Sequence, residues 1–343
     1  MRQLIVQEPV NNGPHEDTLG SIKSYQNSNF GFSLWQTVST IGALLISYVI
    51  LYLGVSHGHI LVILLAPLAS GLAVRTFVLQ HDCSHGSLFK CSWMNNCVGR
   101  LCSLLTFTPY DHWKKHHSIH HGGWNNIDSR GRISDFYSDC ITVAEYKSMG
   151  LTKRFFYRLS KNPIISIFIM PPIIFFLIYR IAFDTPAAWL RERLGVYLTN
   201  LTLVVCYAGL IHFLGITTVA LVTFAVIYPA SVAGVWLFLV QHKFEGVHWE
   251  RELRWTSFEA SLTGCSFLLL PGLLRWFSGN IGVHHVHHAA PGIPNYRLIS
   301  CHNAHPVFRR VKRLSLWDGI KEVGKTTLWD EKACRMVDIR TVK

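Results

Sequence analysis

Histidines are concentrated in three short windows of this chain. Eleven of the nineteen histidines lie there. Neutral imidazole is the side chain that most often binds metal ions in proteins, so this grouping predicts metal chemistry. The windows are His81-Asp82-Cys83-Ser84-His85, His112-Trp113-Lys114-Lys115-His116-His117-Ser118-Ile119-His120-His121 and His284-His285-Val286-His287-His288.

The spacing within each window suits one face of a helix, where residues three and four apart are neighbours. The first window has a pair four residues apart, and the other two each contain the pattern H-x-x-H-H. Eight imidazoles are too many for one zinc ion, which takes four ligands in a structural site and usually three in a catalytic one. The pattern therefore predicts two metal ions with open positions, and imidazole alone leaves iron, copper, zinc and nickel as candidates. The predicted ligands are His81, His85, His117, His120, His121, His284, His287 and His288.

The other histidines are expected to play different parts. His242 emerges at the end of the fourth long apolar segment, as His81 does at the end of the second, and we expect it to be a ninth ligand. Three window histidines fall off the ligand faces and are expected to be supporting or surface groups: His112, His116 and His285. Solvated loop positions are expected for His15, His57, His59, His248, His302 and His305, and a packed or interfacial position for His212.

The composition indicates a membrane protein with several spanning segments. Half of the residues are hydrophobic and only 15% are charged, which is unusual for soluble domains. The net charge of +12 comes without the aromatic-interleaved basic pattern of a nucleic-acid groove, so no nucleic-acid partner is expected. The basic residues cluster between the apolar segments, as the positive-inside rule describes for cytoplasmic loops.

Four apolar segments are long enough to cross a hydrocarbon core, which takes about 20 helical residues. They form two hairpins whose short turns contain no Lys or Arg, whereas the loop 81–162 contains eleven. We therefore predict an all-α polytopic membrane protein, with four transmembrane helices in two hairpins and a cytoplasmic cap of helices that carries the histidine windows. The predicted spans are about residues 34–54, 60–80, 196–214 and 219–240.

Three further apolar stretches, 97–109, 163–179 and 262–274, are predicted to be re-entrant or interfacial. The first and third are too short to span. Pro171-Pro172 lies at the centre of the second and is expected to break a helix there. A crossing at 163–179 would also separate the third window from the first two. The predicted organisation is a cytoplasmic N-terminal segment 1–31, a membrane domain 32–300 and a cytoplasmic C-terminal tail 301–343.

The motifs H-D-C-S-H, H-S-I-H-H and H-H-V-H-H, in this order and at these intervals, resemble the three histidine boxes of the membrane fatty acid desaturases. The resemblance covers about residues 30 to 335 and is strongest to the bacterial members of the acyl-lipid Δ12/ω-6 and ω-3 branch. Further similar stretches are Thr108-Pro109-Tyr110-Asp111-His112-Trp113, Gln241-His242-Lys243-Phe244-Glu245, Gly279-Asn280-Ile281-Gly282-Val283, Ile293-Pro294-Asn295-Tyr296 and Leu328-Trp329-Asp330-Glu331.

This resemblance implies an O2-dependent desaturase that inserts a cis double bond into the acyl chain of a membrane lipid. It implies a non-haem di-iron centre on the eight box histidines, with His242 as an additional ligand. Electrons are expected from a separate ferredoxin or cytochrome b5-like protein with its reductase, because the chain has no His-Pro-Gly-Gly haem motif. The expected location is the bacterial inner membrane, or the ER membrane in a eukaryote, with a cytoplasmic active site. The candidates for partners of the ligand rings are Asp82, Asp111, Glu245 and Asn280, and the alternative role of each is helix capping or surface solvation.

Other functions remain open at this point. A fatty-acyl hydroxylase, an acetylenase or a carotenoid ketolase would use the same scaffold, because hydroxylation and desaturation share the first hydrogen abstraction. A histidine-rich metal transporter belongs to another class. Against it, no Asp, Glu or His lies in the middle of a predicted span, where an ion path would require one.

Overall fold

The computed structural model describes residues 20–131, 140–322 and 328–342. Most of the predicted segment 1–31, with His15, lies outside the described residues. The helices are α1 (Phe30–Ser56), α2 (Ala66–His85), α3 (Ser92–Thr106), α4 (Tyr110–Gly123), α5 (Val143–Ser148), α6 (Leu151–Ser160), α7 (Met170–Phe176), α8 (Leu190–Leu214), α9 (Ile216–His242), α10 (Ser257–Gly264), α11 (Gly272–Phe277), α12 (His284–Ala289), α13 (Leu298–Ala304) and α14 (Leu316–Glu322). The strands are β1 (Ile141–Thr142), β2 (Phe267–Leu269), β3 (Arg313–Ser315), β4 (Leu328–Asp330) and β5 (Arg335–Val337).

Four long apolar helices form the body of the fold. These are α1, α2 with the 3-10 turn that precedes it, α8 and α9, and each has the length and composition of a membrane span. Gly215 alone joins α8 to α9, in the left-handed conformation that glycine adopts without strain. The predicted fold class, a helical membrane protein with two hairpins, is confirmed. Both α2 and α9 continue past the predicted spans, so that each ends at one of the histidines predicted to bind metal.

The core of the long helices is formed by α1, α2 and α9. Leu44, Leu72 and Val222 are almost completely buried where these helices meet. Two hydroxyl groups add polar contacts inside this apolar packing: Tyr52 Oη lies 2.9 Å from Thr223 Oγ1, and Ser70 Oγ donates to the carbonyl oxygen of Val226. The packing holds α2 and α9 side by side, and with them the two histidine-bearing ends.

The segment predicted to break at Pro171-Pro172 bends elsewhere. Helix α6 meets the helical segment Ile165–Arg180 at an angle of 62°, across a break of four residues. A π-turn at Ile165–Ile169 leads into α7. Both prolines then fall in the first turn of α7, where a missing amide hydrogen costs no intrahelical bond. The predicted position of the break was wrong because the π-turn shifts the start of the new helix.

A cap covers the end of the bundle where α2 and α9 finish. It consists of α3, α4, α10 to α12 and the described residues beyond 301, among which Phe308 and Trp329 are buried. Among the described residues, five short strands were absent from the all-α prediction: β1 pairs with β4, β4 with β5, and β2 with β3. Strands of two or three residues, paired across long stretches of chain, leave no periodicity that a sequence pattern could show.

Candidate metal centre

Nine histidines from four helices meet beneath the cap. Seven of them are buried, and His85 and His121 are partly buried. They are the nine histidines that the spacing and the position of His242 single out. By helix they are His81 and His85 on α2, His117, His120 and His121 on α4, His242 on α9, and His284, His287 and His288 on α12.

The first group contains five rings, from His81, His85, His117, His121 and His287. One donor atom from each ring lies within 4.8 Å of those of the other four. The Nε2 atom of His121 is 3.1 Å from that of His117 and 3.0 Å from that of His287. Three helices therefore converge on one point, which we call the five-ring group.

The second group contains His120, His242 and His288, again with donor atoms within 4.8 Å of one another. His284 joins them, because its Nε2 atom lies 2.9 Å from that of His242. The Nε2 atom of His242 is in turn 3.2 Å from that of His120. This four-ring group adjoins the first, since the rings of His121 and His288 stack at 4.0 Å.

The arrangement of nitrogen atoms fits two metal ions. Bonds of about 2.1 Å to one ion place neighbouring ligand atoms about 3.0 Å apart in octahedral geometry and about 3.4 Å apart in tetrahedral geometry, close to the spacing seen between the Nε2 atoms. Imidazoles also lack enough hydrogen-bond partners here. Four ring nitrogens that are buried have none among the described residues: His85 Nε2, His121 Nδ1, His284 Nδ1 and His288 Nε2. An ion at each group would give a partner to the Nε2 atoms of His85 and His288, which otherwise have none among the described residues.

Burial and neighbouring imidazoles lower the pKa of five of the nine rings. Burial, followed by the nearby imidazoles, holds the pKa of His117 and of His121 well below the usual histidine value. The same causes lower the pKa of His284, His287 and His288. Neutral imidazoles retain the lone pair that a metal ion needs. These five rings can therefore bind cations without first releasing protons.

One of the four predicted polar partners contacts the site directly. Asp82 is 2% exposed, and its Oδ1 atom faces His81 Nδ1 at 3.4 Å. Its Oδ2 atom accepts from the backbone nitrogen and from Nδ2 of Asn295, both at 2.8 Å. A carboxylate behind a metal-binding imidazole orients the ring and increases its basicity. Asp82 thus links α2 to the segment that follows α12.

The substitution Asp82→Asn is expected to lower activity and metal retention about tenfold, as is usual for such outer partners. An amide offers one acceptor oxygen instead of two, so either His81 or Asn295 faces an N–H group. Product formation and metal per chain measure the effect. Asp128→Asn is the control, because Asp128 is an exposed carboxylate paired with Arg251. Equal losses in the two variants would contradict a role for Asp82 at the site.

The other predicted polar partners have different roles. Asp111 pairs with Arg100 and Arg191, and the Glu245 side chain is exposed. Asn280 donates to the carbonyl oxygen of Asn295, so it supports Asp82 from one residue further away. Asp111 and Glu245 therefore take other roles than partners of a ligand ring, because the first is ion-paired with two arginines and the second is exposed.

Two histidines expected in solvated loops are buried. His302 lies with its Nδ1 atom 2.8 Å from His285 Nε2, and His305 contacts Ser21 and the carbonyl oxygen of Cys301. They are only 3% and 9% exposed. Both lie behind α12, so the segment beyond residue 301 supports the third window. His57 and His59 are exposed, as predicted.

Two tryptophans beside the rings were not singled out from the sequence. Trp113 stacks on His117 at 4.3 Å. The Trp124 ring lies 4.1 Å from that of His242, and its Nε1 atom donates to the carbonyl oxygen of Gly264. Trp124 follows His120 by four residues, so the helical spacing could have indicated from the sequence that Trp124 lies beside the histidines. These side chains shield the rings from water.

An apolar pocket with a volume of about 220 Å³ opens onto the histidines. Its wall follows α9 from Ile227 to Gln241, which is about 21 Å at 1.5 Å per residue. At one end of this wall stand four rings: His81, His117, His120 and His284. Apolar side chains from α2, α7 and α9 line the rest, including Ala73, Phe77, Ile174, Ala230 and Phe238.

A third polar group, which we call the polar cluster, lies on the same pocket wall. It consists of His112, His116 and Asp184. Burial, and then the neighbouring His112, lower the pKa of His116 to about 4. Burial opposes ionisation of Asp184, but the hydrogen bond and charge of His112 outweigh it, so the pKa of this carboxyl is lowered. The sequence held no signal for Asp184, which lies in the loop before α8.

Comparison with known sequences bears directly on these histidines. The sequence profile of the family described as fatty acid desaturase matches residues 58–317, a range that contains all nine rings. The chain belongs to the fatty acid desaturase family. It is thus a desaturase, an enzyme of the oxidoreductase class, and the predicted family is confirmed.

Individual desaturases are similar over much of their length. A fatty acid desaturase of Bacillus subtilis (strain 168) is 37% identical over 311 residues, covering 91% of this chain and 87% of that protein. An sn-1 oleoyl-lipid 12-desaturase of Synechocystis sp. (strain ATCC 27184 / PCC 6803 / Kazusa) is 26% identical, covering 79% of this chain and 75% of its own. An sn-1 acyl-lipid omega-3 desaturase (ferredoxin) of Nostoc sp. (strain 36) is 29% identical, covering 66% and 62%.

Proposed function

We propose that this desaturase uses O2 and two histidine-bound iron ions to insert a cis double bond into the acyl chain of a membrane lipid. The observation that carries the proposal is the meeting of nine largely buried imidazoles with an apolar pocket. Membership of the family supplies the reaction type. The two ring groups supply places for two ions, five ligands for one and four for the other.

Iron fits both the donors and the reaction. Imidazole binds iron, copper, zinc and nickel, and zinc has no redox chemistry. When bound, iron would supply the oxidising power needed to remove hydrogen from an unactivated methylene. The protein itself lowers the pKa of five of the nine imidazoles, orients His81 through Asp82 and shields the rings from water with Trp113 and Trp124. These tasks are what an enzyme adds to the chemistry of its metal.

The pocket suits a single extended acyl chain. Carbon–carbon bonds of about 1.5 Å give an advance of about 1.25 Å per carbon, so the wall along α9 accommodates about 16 carbons. The pocket extends along α9 from the ring groups to Ile227, near the middle of the helix. A chain lying there would pass the rings near its polar end and place its methyl end between α2, α7 and α9. A fixed chain beside the oxidant selects which carbon pair reacts.

We place the protein in the bacterial inner membrane, or the ER membrane in a eukaryote. Residues 1–31 and 301–343 would lie on the cytoplasmic side, with the cap and the active site. Four crossings follow from the long helices, and 97–109, 163–179 and 262–274 stay at that surface. Electrons would come from ferredoxin or a cytochrome b5-like protein with its reductase. The names of two similar desaturases include ferredoxin. The net charge of +12 favours docking of such acidic proteins.

Expression in a host that makes only saturated and monounsaturated lipids tests the proposed function. We expect new double bonds, located by mass spectrometry, in the membrane lipids of cells that carry the gene and in isolated membranes supplied with reductant and O2. Cells with an empty vector are the control. A hydroxyl group in place of a double bond would assign the hydroxylase alternative. Unchanged lipids, with iron bound and reductant present, would overturn the proposal.

A further inference from the structure

The polar cluster contains none of the nine imidazoles of the two ring groups, yet it has the composition of a metal site. His112 and His116 are four residues apart on α4, and their ring centroids lie 4.3 Å apart. Asp184 faces both rings: its Oδ1 atom is 3.0 Å from His112 Nε2, and its Oδ2 atom is 3.8 Å from His116 Nδ1. Two imidazoles and one carboxylate are a ligand set that catalytic zinc sites use.

The distances suit a shared ion better than a network of hydrogen bonds. A separation of 3.8 Å is too long for a hydrogen bond, so the carboxylate is hydrogen-bonded to His112 but not to His116. Tetrahedral ligands of one zinc ion lie about 3.4 Å apart, and the observed 3.0 and 3.8 Å fall on either side of this value. An ion between the three groups would bind one nitrogen of each ring, and the other nitrogen would carry the ring hydrogen.

Burial and charge also favour a cation at the polar cluster. The Asp184 side chain is only 10% exposed, and a buried carboxylate is stable only when it is paired. The negative charges of Asp184 and of Glu192 on α8 both act on the His116 ring. The positive charge of Lys115 is turned to solvent, where its Nζ atom lies over the Trp189 ring. A divalent ion would therefore meet a net negative charge inside a partly closed site.

The loop that carries Asp184 is held in place from α8. Nη1 of Arg193 donates to the carbonyl oxygen of Ala182 at 3.1 Å and to that of Thr185 at 2.8 Å. These carbonyl groups lie on either side of Asp184 in the chain, so the carboxylate is positioned before an ion binds. Such preorganisation reduces the entropy that binding costs. Phe183, in the same loop, lines the apolar pocket, so an ion would also fasten one wall of that pocket to α4.

We propose that His112, His116 and Asp184 bind a zinc ion, separate from the ions of the two ring groups, which fastens the loop before α8 to α4. Zinc is expected because a given set of nitrogen and oxygen ligands binds zinc more tightly than iron(II). Holding a loop also requires no redox-active metal. Three protein ligands leave the fourth position of the zinc ion to water. The inference is independent of the proposed desaturation, because none of the three residues belongs to a ring group.

Metal analysis of the protein purified in detergent tests this inference. The wild type and the variants Asp184→Asn and His112→Gln are dialysed against the same low concentration of Zn²⁺, and zinc and iron per chain are then measured by mass spectrometry. We expect each variant to bind about one zinc ion fewer than the wild type, because a neutral amide is a poor substitute for either ligand. Iron per chain should be unaltered. The readout is a difference between proteins, so it does not depend on how fully the ring groups are loaded.

Asp128→Asn is the matched control, because Asp128 is an exposed carboxylate paired with Arg251, and it should keep the wild-type zinc content. Equal zinc in the wild type and in both cluster variants would overturn the inference and leave His112 and Asp184 as a hydrogen-bonded pair. The wild type alone gives a second test that does not depend on the folding of any variant. It should hold about three metal ions per chain at saturating Zn²⁺, and a total of two or fewer would also overturn the inference. Membrane lipids without new double bonds would refute the proposed function and leave this count unaffected.

Discussion

Replacement of His287 by alanine is expected to abolish desaturation and to remove bound iron from the five-ring group. His287 is 1% exposed, and its Nε2 atom lies 3.0 Å from that of His121. Its removal leaves the other four rings of the group around a buried gap and takes one of the five lone pairs away from the ion. Double bonds in membrane lipids and iron per purified chain are the two measurements. We expect no detectable product and about one iron in place of two.

A second alanine variant separates the two ring groups. His242→Ala is expected to lose the other ion, because its ring contacts both His120 and His284 in the four-ring group. His59→Ala is the control, since His59 is exposed in the turn between α1 and α2. It should keep full activity and both ions. Wild-type iron content in His287→Ala, despite its lost activity, would contradict a ligand role for that ring.

The sequence predicted which histidines come together better than how they divide into two groups. Histidines spaced by three and four residues share a helix face whatever the fold, so the box residues were accessible to local reasoning. His242 followed from its place at the end of an apolar segment. Which rings share an ion depends on how α2, α4, α9 and α12 pack against one another. That packing joins residues far apart in the chain, and the spacing within a window contains no information about it.

Several residues that sequence reasoning missed or misplaced lie in or beside short connecting elements. Asp184 reaches the pocket from a loop, and no pattern in 181–189 indicates where that loop docks. His302 and His305 were expected to be solvated because the sequence around them is polar, and a polar sequence gives no sign of the contacts that bury them. The four spans were predictable because the length and hydrophobicity of a segment can be read from its own sequence. The short strands and the π-turn were not, because tertiary contacts select them.

Replacement of Gly99 by alanine is expected to destabilise the protein by about 3 kcal/mol, the upper end of the range for overpacking, and to reduce activity with it. Gly99 is in α3, where an added methyl group would overlap the ring of Tyr110 at the start of α4. Tyr110 is 1% exposed and donates through Oη to the carbonyl oxygen of Cys83 on α2. The ring cannot move outward without breaking that bond, so the strain falls on the helices that carry the first two histidine boxes.

Thermal unfolding in detergent, followed by helix content, measures this effect, and iron per chain reports on the site. Gly122→Ala is the matched control, because Gly122 is a helical glycine with open space where its methyl group would lie. Alanine there should stabilise the helix by about 0.5–1 kcal/mol. Opposite shifts of the unfolding temperature in the two variants would show that contact with Tyr110, and not glycine replacement in general, causes the loss. Equal shifts would mean that α3 can move away from α4, and that the boxes do not depend on this contact.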